Sequence, residues 1–341
     1  MIYFNSDYMA GAHPEVMQRL LDTNFEHTVG YGCDQYSERA VELIREACDA
    51  PKAQVFFLVG GTQTNATVID GLLARHEGVL APESAHINVH EAGAIEATGH
   101  KVLTLPHCEG KVRTDEVENY INDFYRDETF LHMVAPGMLY ISFPTEYGTI
   151  YTLGELEALS RVCRKAQIPL YIDGARLGYG LAASECDVTF KDIARLADVF
   201  YIGGTKMGAL MGEAVVVTNG TLLKNMMPHM KQHGALLAKG RLLGLQFDTL
   251  FTNDLYMRIG RYAVELAITL KEEFTVRGYE SVVDSPTNQQ FFRLPNDLVD
   301  RLSCHVGFEL WGPKGETSSV VRFVTSWSTT KNDLDKLISL V

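Results

Sequence analysis

The sequence is short of nearly everything that marks a nucleic-acid, membrane or secreted protein. Its 30 lysines and arginines are outnumbered by 43 acids, giving a formal net charge of −13. A phosphate-neutralising surface needs a basic excess, which argues against nucleic acid as a partner. No apolar run approaches the roughly 20 residues that span a bilayer. The opening MIYFNSDYMAGAHP lacks the basic start and apolar core of a signal peptide. The six cysteines (Cys33, Cys48, Cys108, Cys163, Cys186 and Cys304) form no CxxC pair, so reduced thiols in a cytoplasmic protein are expected. Neither GxGxxG nor GxxxxGK[ST] occurs, which counts against dinucleotides and nucleoside triphosphates. HExxH is absent too. His86 and His90 stand four apart, but no third ligand has suggestive spacing and no metal is expected.

What remains is a globular composition, 46% hydrophobic and 21% charged over 341 residues, enough core for one large domain and a smaller one. From Gln54 strands alternate with helices, and four strands end near Val59, Phe143, Ile172 and Ile202, each followed by polar residues. In an open α/β sheet, ligands collect outside the carboxyl ends of strands. After Val59, the turn Gly60–Asn65 (GGTQTN) is expected to lead into a helix Ala66–Arg75. Free N–H groups and the positive dipole end would make a phosphate seat there, although a plain helix cap would look the same. Leu245–Phe274 reads as a long helix pair. From Gly278 a small α+β region follows, with strands at Ser281–Asp284, Phe291–Leu294 and Ser319–Thr325 and a helix Asn296–Cys304. The expected division is 15–245 for the large α/β domain, with 1–14 (an N-terminal arm) and 246–341 forming the small one.

Two stretches carry chemistry. In Asp198–Leu210 (DVFYIGGTKMGAL) a short buried strand breaks into paired glycines followed at once by Lys206. A lysine at the mouth of a sheet is desolvated, which lowers its pKa and makes the amine nucleophilic; a solvated loop lysine would read alike. Pro169–Arg176 (PLYIDGAR) tips the choice, because another buried strand ends in Asp173 and Arg176. Lysine, carboxylate and guanidinium at neighbouring strand ends fit a pyridoxal phosphate site. The lysine holds the cofactor, the acid keeps the pyridine nitrogen protonated, and the arginine offers a planar fork to an amino acid's carboxylate. With such a cofactor, His86 would stack on its ring or act as a base. Arg322, inside the apolar run VVRFVTSW, is either a surface residue of an alternating strand or a buried partner of an anion. Lys239 and Arg241, in GALLAKGRLLG, could bring charge to a phosphate or simply face solvent.

IDGAR around Asp173 and the AHINVHEAGA run, Ala85–Ala94, resemble the threonine aldolases, which share their superfamily with the aromatic β-eliminating lyases. The resemblance runs from Asn5 to the Arg322 strand. It implies the fold-type-I pyridoxal phosphate transferase fold, a mostly parallel sheet with helices on both faces plus a small α+β domain. It implies cleavage of β-hydroxy amino acids such as L-threonine or L-allo-threonine to glycine and acetaldehyde. The alternative is a β-eliminating lyase or an aminotransferase-like enzyme on the same cofactor. By resemblance, Lys206 binds the cofactor covalently, Asp173 faces its ring nitrogen, Gly61 and Thr62 match the phosphate turn, and His86 stacks on the ring. Ser6, Arg176 and Arg322 match the residues that grip the substrate carboxylate, and Tyr31 matches a tyrosine of a YG loop. Lys239 stands where an arginine near the phosphate comes across a dimer interface, so a homodimer or homotetramer with shared sites is implied. One departure matters. Where the resemblance calls for a second histidine near the substrate hydroxyl, the chain has Ser142–Thr145 (SFPT), with Thr145 in that place.

Overall fold

Thirteen strands order the fold, seen in a computed structural model that describes residues 1–223 and 225–341. In chain order they are β1 (Ile2–Tyr3), β2 (Gln54–Leu58), β3 (Glu77–Pro82), β4 (Lys101–Leu105), β5 (Ala135–Ser142), β6 (Leu170–Asp173), β7 (Val199–Gly203), β8 (Glu213–Val217), β9 (Glu280–Ser281), β10 (Gln289–Pro295), β11 (Val306–Gly307), β12 (Glu309–Leu310) and β13 (Ser318–Val324). Seven of them form the main sheet in the order β2-β8-β7-β6-β5-β3-β4. Only β8 runs against its neighbours, so the carboxyl ends of the other six lie along one edge. Strands β6, β7 and β8 are buried at every position, as strands covered by helices on both faces must be.

The helices follow from pattern and caps. Leu153–Ala166 buries Leu156, Leu159, Val162 and Cys163 along one stripe. Its start is fixed by a reciprocal cap: Thr152 Oγ1 accepts from Glu155 N at 3.2 Å while Glu155 Oε2 accepts from Thr152 N at 2.7 Å. The long helical stretch is a pair as expected, Arg241–Phe251 and Leu255–Val276, broken where Asn253 and Asp254 adopt positive φ. A four-stranded antiparallel sheet, β12-β13-β10-β9, carries the later residues. Phe4 packs into the apolar cluster of that region beside Leu270, Phe292 and Phe323, and β1 pairs with β11.

Among the differences from the sequence expectation, the strand expected at Ser281–Asp284 is Glu280–Ser281, and two others lie beside the site. Strand β3 is absent from the expectation, because Glu77–Pro82 (EGVLAP) is a short apolar run opened by a charge and Gly78 and closed by a proline. The helix after β2 begins at Gly61 rather than Ala66 and ends at Leu72. The glycine, threonines and glutamine that read as a turn are themselves the first helical turn, held by Thr64 N donating to Gly60 O at 2.9 Å.

Candidate active site

A cavity of about 290 Å³ opens at the carboxyl edge of the main sheet. Its walls include Gly60, Gly61 and Thr62 after β2, His86 after β3, Asp173 and Arg176 after β6, and Lys206 after β7. A second space of about 510 Å³ shares Tyr8, His86, Glu146, Arg176 and Lys206 with it and adds Arg322, Glu309 and Trp311 from the small sheet. The juxtaposition depends on glycines. A Cβ on Gly174 would lie 2.0 Å from Tyr201 O, and one on Gly203 would lie 2.3 Å from Ala175 O. Without side chains at both positions the strand ends close together, and Asp173 and Lys206 face one space.

Three donors fix Asp173. Oδ2 accepts from Asn65 Nδ2 at 3.0 Å and from the Tyr140 hydroxyl at 2.6 Å, and Oδ1 accepts from Ala175 N at 2.9 Å. The second amide hydrogen of Asn65 goes to Glu91 Oε1 at 2.8 Å, and the same oxygen lies 2.8 Å from His86 Nδ1. Glu91, as a buried carboxylate, can only accept, so the Nδ1 of His86 carries a hydrogen and its ring is held in one orientation. One chain of hydrogen bonds thus joins the His86 wall to Asp173.

Desolvation pulls the Lys206 ammonium below its usual pKa, the Arg176 charge pulls it the same way, and Asp7 and Asp173 oppose both. Its turn is pinned by Gly204 N, which donates to Glu213 Oε2 and to Gly212 O, each at 3.0 Å. Burial pushes the Glu213 carboxyl up to about 8. At another part of the cavity wall, the helix Gly61–Leu72 starts without a side-chain cap. The N–H groups of Gly61, Thr62 and Gln63 have no acceptor among the described residues, and they point the positive helix end at the cavity.

Both arginines are already partnered. Arg176 is held bidentately by Asp7, Nε to Oδ2 at 2.7 Å and Nη2 to Oδ1 at 3.0 Å. Burial alone would raise Asp7, but Arg176 and then Lys206 outweigh it and hold the carboxyl below its usual value. Arg322 is buried, and of its two readings the anion-partner one is observed: Nη2 donates to Glu309, its cross-strand neighbour, and Nη1 to Gln289 at 3.1 Å. Three expected residues do not line this chain's cavity. Ser6 is buried, and its neighbours Asp7 and Tyr8 turn toward the site instead. Tyr31 lines a separate space of about 200 Å³ with Gly240, and its N–H donates to Ala238 O at 3.1 Å. Lys239, beside it, is exposed.

Sequence reasoning missed Tyr8, Tyr140, Glu146 and Glu213. Glu213 could have been noticed as an acid opening an all-apolar strand, EAVVV. Tyr140 carried no signal within a continuous apolar run.

The sequence model of the beta-eliminating lyase family matches residues 4–285. A low specificity L-threonine aldolase of Pseudomonas aeruginosa is 29% identical over 329 residues, covering 96% of this chain and 93% of that protein. The solved threonine aldolase of Leishmania major is 38% identical with a TM-score of 0.96, covering 100% of this chain and 98% of that one. Aspartate aminotransferase of Thermus thermophilus, at 15% identity and a TM-score of 0.72, shares the fold alone. The fold-type-I architecture is the one expected from sequence.

Proposed function

The chain belongs to the beta-eliminating lyase family, and from that premise we propose that it cleaves the Cα–Cβ bond of β-hydroxy amino acids, L-threonine and L-allo-threonine among them, to glycine and an aldehyde. The observation that carries this reading is that Lys206, Asp173, His86 and an uncapped helix start all line one cavity. The aldolases among its relatives, matched over nearly the whole chain, supply the choice of reaction.

Pyridoxal phosphate fits these residues. The free N–H groups at Gly61 and Thr62 suit its phosphate, and Gly60 leaves open space where a side chain would crowd it. Lys206 would hold its aldehyde carbon, Asp173 its ring nitrogen, and His86 one face of its ring. Bound there, the cofactor supplies a sink for the electron pair released at Cα.

The chain's own residues do the rest. Arg176 and Arg322 are assigned to the substrate carboxylate, which fixes the orientation of the bonds at Cα. Arg322 reaches the outer space directly, whereas Arg176 acts through the edge that Asp7 leaves free. His86, with Nδ1 committed to Glu91, is held in one orientation to cover a face of the ring. Lys206, with its ammonium destabilised by burial, exchanges a proton at Cα. Tyr31 and Lys239 lie together on an exposed loop pair away from this cavity, which supports a dimer in which they serve the partner subunit's site.

The test is product analysis of the purified protein with added pyridoxal phosphate. Glycine plus acetaldehyde from threonine is expected. Pyruvate plus ammonia from serine or cysteine, without glycine, would replace the aldolase reading with β-elimination. Lys206→Ala should bind the cofactor without the visible absorbance of the covalently held form.

A further inference from the structure

Thr145 holds the place of the second histidine, but its hydroxyl is committed elsewhere. Its Oγ1 lies 2.7 Å from Thr149 Oγ1, donates to Glu109 O at 3.2 Å and accepts from Tyr147 N at 3.2 Å. Thr145 lines the cavity with that committed hydroxyl, and the next residue lines it with an uncommitted oxygen. Among the described residues, Glu146 alone of the carboxylates lines both the inner cavity and the outer space. Its Oε1 is anchored by Ser142 Oγ at 2.7 Å and His86 N at 3.0 Å. Its Oε2 is buried without a hydrogen-bond partner among the described residues. A buried carboxylate oxygen with no partner is costly unless a ligand supplies one.

We propose that Glu146 is the catalytic residue that binds the substrate's β-hydroxyl and takes its proton as the Cα–Cβ bond breaks, an inference that rests on the aldolase reading above. The O–H bond breaks and its proton passes to Glu146. The O–H electron pair becomes the second bond of the aldehyde carbonyl, and the Cα–Cβ pair stays with Cα. Cα then gains a proton and glycine results. The net change is one proton moved from oxygen to carbon, so no oxidant or co-reactant is consumed. His86 is left to cover the ring and to orient Glu146 through its backbone N–H.

The charged surroundings suit a base that works above the ordinary carboxylate range. Desolvation raises the Glu146 pKa first, its hydrogen bond from Ser142 lowers it, and the charge of Asp173 raises it again. Tyr140 and Tyr147 are neutral neighbours that feel its charge, His86 and Glu91 lie on the β3 side, and Lys206 and Arg176 share the cavity.

The test is Glu146→Gln in the cofactor-loaded protein. Threonine cleavage should fall by about a hundredfold, the usual contribution of a positioned base. The exchange of glycine's α-proton with deuterated water needs no β-hydroxyl and should fall far less. The rise of log kcat with pH, which requires Glu146 deprotonated, should vanish in the variant, and Glu146→Asp should restore part of it. Carbon-13 NMR of the cofactor-free protein should show, besides the raised Glu213 carboxyl, a second glutamate carboxyl that titrates above the ordinary range and is missing in Glu146→Gln. Equal losses of cleavage and glycine exchange, or an unchanged pH profile, would overturn the proposal in favour of a structural role. A wild-type protein that exchanges glycine's proton but cleaves no β-hydroxy amino acid would overturn the functional reading itself, an outcome visible before any variant is made.

Discussion

The amide of Gly203 donates to the carbonyl of Gly174 at 2.9 Å, closing the gap between the ends of β6 and β7. That single bond joins the residue after Asp173 to the strand that leads into Lys206. The approach of these two strand ends is therefore set by backbone, and side chains then orient Asp173 and the Lys206 turn.

Gly203→Ala is the direct probe. Its methyl would meet Ala175 O at 2.3 Å and Gly174 O at 2.8 Å, so the strand ends must part. Overpacking of this kind costs about 1–3 kcal/mol. Urea denaturation should show that loss, together with weaker retention of pyridoxal phosphate.

Asp173→Asn keeps the shape of the side chain and removes its charge. Tyr140 and Asn65 can still bond to the amide oxygen, but the amide NH2 then faces Ala175 N–H, so the melting temperature should fall modestly. Turnover should drop by about a hundredfold or more, the scale on which a fixed charge opposite developing charge acts. Steady-state assay at saturating cofactor reads this out.

Glu309→Gln should improve substrate binding. Glu309 holds Arg322 in the free protein and competes with the carboxylate of an incoming amino acid. Its side chain is 41% exposed, so the pair is worth about 1 kcal/mol at most. KM for threonine should fall by about fivefold with kcat nearly unchanged; a raised KM would show that Glu309 positions Arg322 instead.

Glu213 gives the cofactor-free protein a pH signature. Burial raises its folded pKa from 4.5 to about 8, so the folded state binds more protons than the unfolded state between these values. Its burial costs nothing extra below pH 4.5, and the protein loses stability as pH rises from there toward 8. Lys206, lowered on folding, contributes the opposite slope at alkaline pH. Comparing wild type with Glu213→Gln cancels much of the lysine's contribution. Between pH 6 and 9 the variant should lose less stability than wild type, by about 1–3 kcal/mol in denaturant titrations.

Much of this protein was legible in its sequence because the signals were local. Buried strands announced themselves as apolar runs such as LYID and VFYIG, and their ends flagged Asp173, Arg176 and Lys206. GGT at a strand exit pointed to the uncapped helix start that lines the cavity, even though the helix began five residues earlier than expected. Strand β3 escaped because its charge, glycine and proline blunt the apolar pattern.

Pairwise relations across the chain were not legible. Asp7 and Arg176 are 169 positions apart in sequence, yet they form a buried bidentate pair, and nothing near either residue hints at the other. The same holds for Asn65 linking Glu91 to Asp173, and for Glu146 joining Thr145 at the cavity wall with one oxygen unpartnered among the described residues. Sequence by itself determined which elements form and which residues stand at their ends, since periodicity, glycine and caps act within a few residues. Only the tertiary structure decided which of those side chains share a partner, because hydrogen bonds and burial depend on distances that the fold alone sets.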